Sequence, residues 1–176
     1  MVFFIIGLGL GNPEDISVKG LNAIRSCKEV YLEYYTSVMS TTNKELEDFL
    51  QVPIIEADRD FCEIQIDEVL EKISKDPEAN YSFLVVGDAF CATTHSDLYL
   101  RAVKLGIKVE VIHNASIISA VGCTGLQVYR FGEVVSVPLW NEKWKPTSFY
   151  PKILKNRKAD LHTLVLVDIK VKERTE

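Results

Sequence analysis

The 176-residue sequence is short of several things, and each shortage closes off a class of protein. Only four cysteines (Cys27, Cys62, Cys91, Cys123) and three histidines (His95, His113, His162) are present. The cysteines lie far apart and form no C-x-x-C pair, which excludes a disulfide scaffold and makes a metal centre a poor reading. They read as buried or half-buried free thiols in a reducing compartment. No apolar run approaches the roughly 18 residues of a membrane-spanning helix. The opening Met1-Val2-Phe3-Phe4-Ile5-Ile6 is apolar but too short for a secretory signal, has no basic residues before it and runs into glycines. A cytoplasmic location without membrane association is the expectation. Excess charge is scarce too. With 20 Lys+Arg against 25 Asp+Glu, the formal net charge of −5 argues against direct nucleic-acid binding by phosphate neutralisation.

What is present is an ordinary globular composition, 47% hydrophobic and 26% charged, long enough for one domain with a substantial core. Short β-rich runs alternate with helical periodicity along the whole chain. Strands are expected at 2–6, 30–32, 53–56, 83–86, 109–112, 134–137 and 164–167. Helices are expected at 16–27 (capped by Asp15), 42–50, 61–74, 96–105 and 116–125. The strand runs are apolar throughout rather than alternating, which suits strands covered on both faces. The fold class is therefore α/β, a mainly parallel sheet with helices on both faces. The tail Lys170-Val171-Lys172-Glu173-Arg174-Thr175-Glu176 is densely charged and reads as a linker.

In an open parallel sheet, ligands bind beyond the carboxyl ends of the strands. Three such ends carry unusual residues here. Gly7-Leu8-Gly9-Leu10-Gly11 is either a tight turn or a phosphate cradle. A dinucleotide fingerprint would need a glycine at position 12, where Asn12 stands, although Glu33 ends the next strand where a ribose-binding acid belongs. In Gly87-Asp88-Ala89-Phe90-Cys91-Ala92-Thr93-Thr94-His95, Asp88 offers an acceptor to ribose hydroxyls or an amine, or else caps the next helix with Thr93 or Thr94. The third end is His113-Asn114-Ala115-Ser116-Ile117. Asp88 with His95 or His113 and Ser96 or Ser116 has the composition of a hydrolytic triad, but no G-x-S-x-G elbow accompanies it. Histidines at helix starts read as structurally satisfied. Trp140, Trp144 and Tyr150, among prolines, read as core or dimer packing.

Several blocks, in order, resemble the diphthine synthases, the methyltransferases of the diphthamide pathway. They are Ile6-Gly7-Leu8-Gly9-Leu10-Gly11, Val30-Tyr31-Leu32-Glu33, Tyr35-Thr36-Ser37-Val38, Ala92-Thr93-Thr94-His95-Ser96-Asp97-Leu98, Val111-Ile112-His113-Asn114-Ala115-Ser116-Ile117 and Asp168-Ile169-Lys170-Val171-Lys172-Glu173. The likeness covers essentially the whole chain. It implies a tetrapyrrole-methylase-like, class III methyltransferase fold that uses S-adenosylmethionine and releases S-adenosylhomocysteine. The substrate implied is the modified histidine of translation elongation factor 2, and the assembly implied is a homodimer. The family's cofactor positions fall on Leu10, Asp88, Cys91, Ser116, Ile117 and Val167, while no residue is singled out as a catalytic base. The family pattern G-D-P-F-G reads Gly87-Asp88-Ala89-Phe90-Cys91 here, so the turn lacks its proline and Cys91 carries a side chain where glycine lets the cofactor approach. The domain organisation implied is a cofactor-binding domain over 1–169 and a charged linker over 170–176, without the family's second α/β domain. Weak or absent turnover by this chain alone is the matching expectation. The competing readings are a dinucleotide-dependent oxidoreductase built on the glycine turn and Glu33, and a non-catalytic binding remnant.

Overall fold

The computed structural model describes residues 1–37 and 39–169; Val38 and the charged tail 170–176 lie outside the described residues. The elements run β1 (Phe3–Gly7), α1 (Val18–Arg25), β2 (Cys27–Glu33), α2 (Asn43–Leu50), β3 (Ile55–Ala57), α3 (Ile66–Ser74), β4 (Asn80–Val85), α4 (Ser96–Lys104), β5 (Val109–Ile112), α5 (Ile117–Ala120), β6 (Val135–Val137), α6 (Phe149–Lys158) and β7 (Val165–Val167). They fall into two compact units, one ending at Ile117 and one beginning at Ile118.

The first unit is a five-stranded sheet in the order β3-β2-β4-β1-β5. Every neighbouring pair in it is parallel. The period-two geometry of each strand sends alternate side chains to opposite faces. Phe3, Ile5, Tyr31, Phe83 and Val85 meet Ile66, Leu70 and Ile73 of α3 and Leu98 and Ala102 of α4. On the other face Ile6, Val30, Leu32, Leu84 and Ile112 meet Ala23 and Ile24 of α1 and Leu46 and Leu50 of α2. Both faces are covered, so the strands read as unbroken apolar runs. Each fully buried aliphatic or aromatic side chain contributes roughly 1.5–3 kcal/mol by leaving water.

Helix starts follow local chemistry. Thr42 and Glu45 form a reciprocal capping box on α2. α3 follows a π-helical turn at Phe61–Gln65, so the expected helix over 61–74 is one continuous helical stretch in two forms. Asp15 does not cap α1. Ser17 does, accepting from the Gly20 N–H at 3.0 Å, because Asp15 sits in a separate 3-10 turn and turns its carboxylate back to the Gly11 N–H at 2.7 Å.

The second unit holds a two-stranded parallel sheet of β6 and β7, with α6 against β6. Three expectations are corrected here. The helix over 116–125 is only α5, four residues, continued by a 3-10 turn at Val121–Thr124. Gly122 and Gly125 lower helix propensity, and Gly125 takes φ +84° at the stop. The last strand is not covered on both faces, since Val165 and Val167 are exposed. Trp140 and Trp144 are not core residues, each being more than half exposed. α6 was invisible to apolar periodicity because its buried anchor is polar. Asn156 accepts from the Glu133 N–H at 3.0 Å and donates to the Glu133 carbonyl at 2.8 Å and to Thr163 Oγ1 at 3.0 Å.

Candidate functional site

Because all five strands of the first sheet are parallel, their carboxyl ends share one edge. The loops after β1, β4 and β5 meet there as neighbours. The glycine turn after β1 is locked onto the loop after β4. Leu8 N–H donates to the Val85 carbonyl (2.8 Å), Gly87 N–H to the Gly9 carbonyl (2.8 Å) and Gly9 N–H to the Gly87 carbonyl (3.2 Å). A Cβ at Gly7 would stand 2.5 Å from the Gly87 carbonyl oxygen, so residue 7 is glycine because two backbones touch there.

The amides of Leu8, Gly9 and Gly11 are therefore engaged within the protein, and the turn is no open phosphate cradle. Asn12 caps the 3-10 turn by accepting from Glu14 N–H, and Pro13 opens that turn. No helix starts where a dinucleotide fold would begin one. Glu33 is fully buried, and its carboxylate takes the N–H groups of Tyr35 and Thr36 and the Thr36 hydroxyl. Burial outweighs those bonds and holds its carboxyl above the usual range. An enclosed acid of this kind does not reach out to a ribose, which removes the residue basis of the oxidoreductase reading.

Asp88 follows β4 directly and organises the edge. Its Oδ1 accepts from the Phe90 N–H at 2.9 Å, and its Oδ2 accepts from the Asn114 N–H at 3.1 Å and meets His113 Nδ1 at 2.8 Å. Burial pushes this carboxyl up, but the Phe90 and Asn114 N–H groups and then His113 outweigh it, leaving it below the ordinary carboxylate value. Asp88 accordingly does not cap α4, whose first turn has no side-chain cap. The turn that lacks proline is closed from within: Cys91 N–H donates to the Asp88 carbonyl at 3.2 Å, and the Asp88 side chain holds Phe90.

Asn114 ties the third loop to the first. Its Nδ2 donates to the carbonyls of Gly7 (3.1 Å) and Asp15 (3.0 Å), and its Oδ1 accepts from the Ala115 N–H at 2.7 Å. A Cβ on Gly87 would meet Leu10 Cδ2 and the Ala115 carbonyl at 3.6 and 3.7 Å, so all three loops converge around Gly87. Of the sequence candidates, Leu10 (41% exposed) and Ile117 (42%) present apolar surface on the first unit, Asp88 and Ser116 are buried, and Cys91 is half-buried. Val167, 67% exposed, belongs to the second unit.

His95 stands apart from this corner. It is buried edge-on against Phe83 (5.2 Å between centroids) and Tyr35 (6.5 Å), and its Nε2 has no hydrogen-bond partner. The expectation of a structurally satisfied histidine fails for that nitrogen. Burial lowers its pKa to about 4, so the ring is neutral near pH 7. The roles of two residues escape local sequence reading: Asn114, whose partners lie 107 and 99 positions away, and His113, whose partner Asp88 is 25 away. Sequence reading placed both at a strand end and set His113 among the candidate partners of Asp88, but their bonds to Gly7, Asp15 and Asp88 carry no local signal.

Comparison with known proteins gives the chain a family. The family model for tetrapyrrole (corrin/porphyrin) methylases matches residues 2–174. The diphthine methyl ester synthase of Bos taurus is 54% identical over 175 residues, covering 99% of this chain and 60% of that protein. The protein of the same name from Homo sapiens is 53% identical with the same coverage. A crystal structure of a diphthine synthase superposes with a TM-score of 0.88 at 38% identity, covering 99% of this chain and 67% of that one. The chain thus spans about 60% of the length of the curated relatives it matches.

Proposed function

The chain belongs to the tetrapyrrole methylase family, and on that premise we propose that it serves S-adenosylmethionine-dependent methyl transfer in diphthamide biosynthesis. The acceptor is the modified histidine of translation elongation factor 2, the working assembly is a homodimer, and the compartment is the cytoplasm. The span 1–169 is read as the cofactor-binding part. One observation carries the reading. The edge where three parallel-strand loops converge carries an ionised, hydrogen-bonded Asp88 after β4 and exposed apolar Leu10 and Ile117 in the segments after β1 and β5.

Those residues fit the cofactor's chemistry. Leu10 and Ile117 supply apolar surface for a nucleobase. The Asp88 carboxylate has about four acceptor sites and uses three, which leaves one for a ligand hydroxyl. Cys91, a small half-buried residue in the same loop, is assigned to the cofactor on the resemblance. Ser116, buried at the first unit's last turn, supplies backbone contact, and for Val167, on the second unit, the assignment rests on the resemblance. When bound, the sulfonium supplies an already activated methyl group, so the protein's task is positioning and exclusion of water rather than covalent catalysis. The locked glycine turn and the Asn114 tie hold the edge in one geometry before any ligand arrives, which lowers the cost of ordering the site on binding.

Calorimetry with S-adenosylhomocysteine and with NAD tests the reading. Binding of the first and not the second is expected; the reverse pattern would reinstate the oxidoreductase. Methyl transfer to purified elongation factor 2, followed by mass spectrometry, then tests the acceptor.

A further inference from the structure

We propose that His113 is a catalytic residue, the base that removes a proton from an amine acceptor before methylation, with Asp88 holding its ring. The proposal rests on the methyl-transfer reading above and names the group that reading left unassigned.

The two members of the pair differ in exposure. The Asp88 side chain is 5% exposed and the His113 side chain 69%. One partner is locked in the protein and the other faces solvent. Asp88 cannot swing away, because Phe90 N–H fixes Oδ1 and Asn114 N–H fixes Oδ2. An ionised carboxylate only accepts, so the His113 nitrogen 2.8 Å from it, Nδ1, must be the one that carries the proton. The neutral ring then has its lone pair on Nε2. The Phe90 ring, 6.2 Å away between centroids and tilted at 62°, flanks the imidazole. This is the carboxylate–imidazole arrangement that makes histidine a general base, with the carboxylate choosing the tautomer and stabilising the imidazolium.

The alternative histidine fails on the same grounds. His95 is buried, and no described acidic side chain bonds its ring, so it has neither access to a substrate nor a group to stabilise its charged form.

An aliphatic amine is protonated at neutral pH and has no lone pair to offer a methyl group. The acceptor ammonium gives one proton to His113 Nε2. Its freed electron pair forms the new N–C bond as the methyl's C–S bond breaks, and that bonding pair stays on sulfur as a thioether. The proton then leaves the exposed imidazolium for water. A carboxylate acceptor already has its electron pair, so it needs no such base.

The test combines binding, ring-tautomer and chemical-labelling measurements on the chain itself, which decide the assignment at any level of turnover. Calorimetry with S-adenosylhomocysteine comes first, and no binding by the parent would overturn the methyltransferase reading and this proposal together. With binding present, nitrogen-15 NMR of the imidazoles is expected to show the Nδ1–H tautomer at His113. Diethyl pyrocarbonate, which acylates an unprotonated ring nitrogen, is expected to label His113 at least tenfold more slowly once S-adenosylhomocysteine is bound. A dominant Nε2–H tautomer, or labelling that bound product leaves unchanged, would overturn the assignment. His113→Gln is expected to keep product affinity within about twofold. Where the parent turns over elongation factor 2, the same variant is expected to lower kcat by at least a hundredfold, within the range for a lost general base, and to move the rising limb of the pH–rate profile to higher pH, where the amine loses its proton unaided. Parent-like turnover with that limb unmoved would overturn it.

Discussion

Asn114 joins the two ends of the first unit's sequence: its Nδ2 donates to the Gly7 carbonyl at 3.1 Å, across 107 residues. The same amide nitrogen reaches the Asp15 carbonyl at 3.0 Å. Replacing Asn114 by Ala strands both carbonyls and removes the acceptor for Ala115 N–H. The expected loss is about 1–3 kcal/mol of stability by urea unfolding. Weaker S-adenosylhomocysteine binding should accompany it, because the loop after β5 is no longer tied to the loop after β1. An Asn114→Ala variant as stable as the parent would show that this tie carries no weight.

Gly7→Ala tests the contact between loops. The added Cβ would lie 2.5 Å from the Gly87 carbonyl oxygen and 3.0 Å from Asn114 Cβ, with backbone on one side. The loops must separate, so we expect a marked fall in melting temperature and loss of product binding even where secondary structure by circular dichroism is retained. Gly106→Ala, where a Cβ meets nothing within 4 Å but φ is +74°, should show backbone strain alone and keep binding.

Asp88→Ala should weaken S-adenosylhomocysteine binding, and binding as tight as the parent's would remove Asp88 from the cofactor site. Asp88→Asn gives a second readout through pH. The folded carboxyl titrates below the ordinary value of 3.8, so the unfolded chain takes up the proton first. Asp88 therefore stabilises the fold above that value and the contribution is lost as pH falls through the folded pKa. The parent should lose stability more steeply than Asp88→Asn across that acidic window.

Glu33 carries the opposite sign. Its folded pKa lies above the ordinary 4.5, so its contribution is fully present below 4.5 and is lost as pH rises through the folded value. Glu33→Gln keeps an oxygen for the Tyr35 and Thr36 N–H groups and removes the buried charge. Denaturation of this variant should show no such loss on raising the pH, whereas Glu33→Ala should be destabilised at every pH. His95 adds a third pattern. Burial lowers it to about 4, so the unfolded chain binds protons first between the ordinary 6.5 and 4, and stability falls as pH falls through that window. The full effect is roughly 3 kcal/mol, and His95→Leu should abolish it while matching the parent's stability at pH 7.

Ala89 occupies the second position of the turn closed by Cys91 N–H and the Asp88 carbonyl. Proline suits that position by fixing φ near −65°. Ala89→Pro is expected to raise stability by about 0.4–1 kcal/mol through the unfolded chain's lost freedom, measured as a higher urea midpoint at unchanged slope.

Much of the architecture was legible without coordinates. The run Phe3-Phe4-Ile5-Ile6 announces a strand covered on both sides, and Ile66, Leu70 and Ile73 announce a helix with one buried face, because burial imposes periods of two and 3.6 on the chain. The three strand-end segments were legible for the same reason, since a parallel sheet puts its functional loops at one edge. α6 was not legible, because it is anchored by the hydrogen bonds of Asn156 rather than by an apolar stripe. Nor was the break of the small-residue segment after Ala120, where glycine and tertiary packing outweigh a weak helical preference.

The sequence by itself determined which residues form the first unit's sheet, which helices cover it, and that the segments at Gly7, Asp88 and His113 stand at strand ends. Only the tertiary structure decided what those residues do to one another. It made Glu33 an enclosed structural acid, engaged the glycine amides within the protein, and set His113 against Asp88 with one ring nitrogen toward the carboxylate and its side chain largely exposed. The physical reason is range. Burial patterns are written every few residues, whereas a hydrogen bond is defined by distances of about 3 Å between groups that the chain separates by as many as 107 positions.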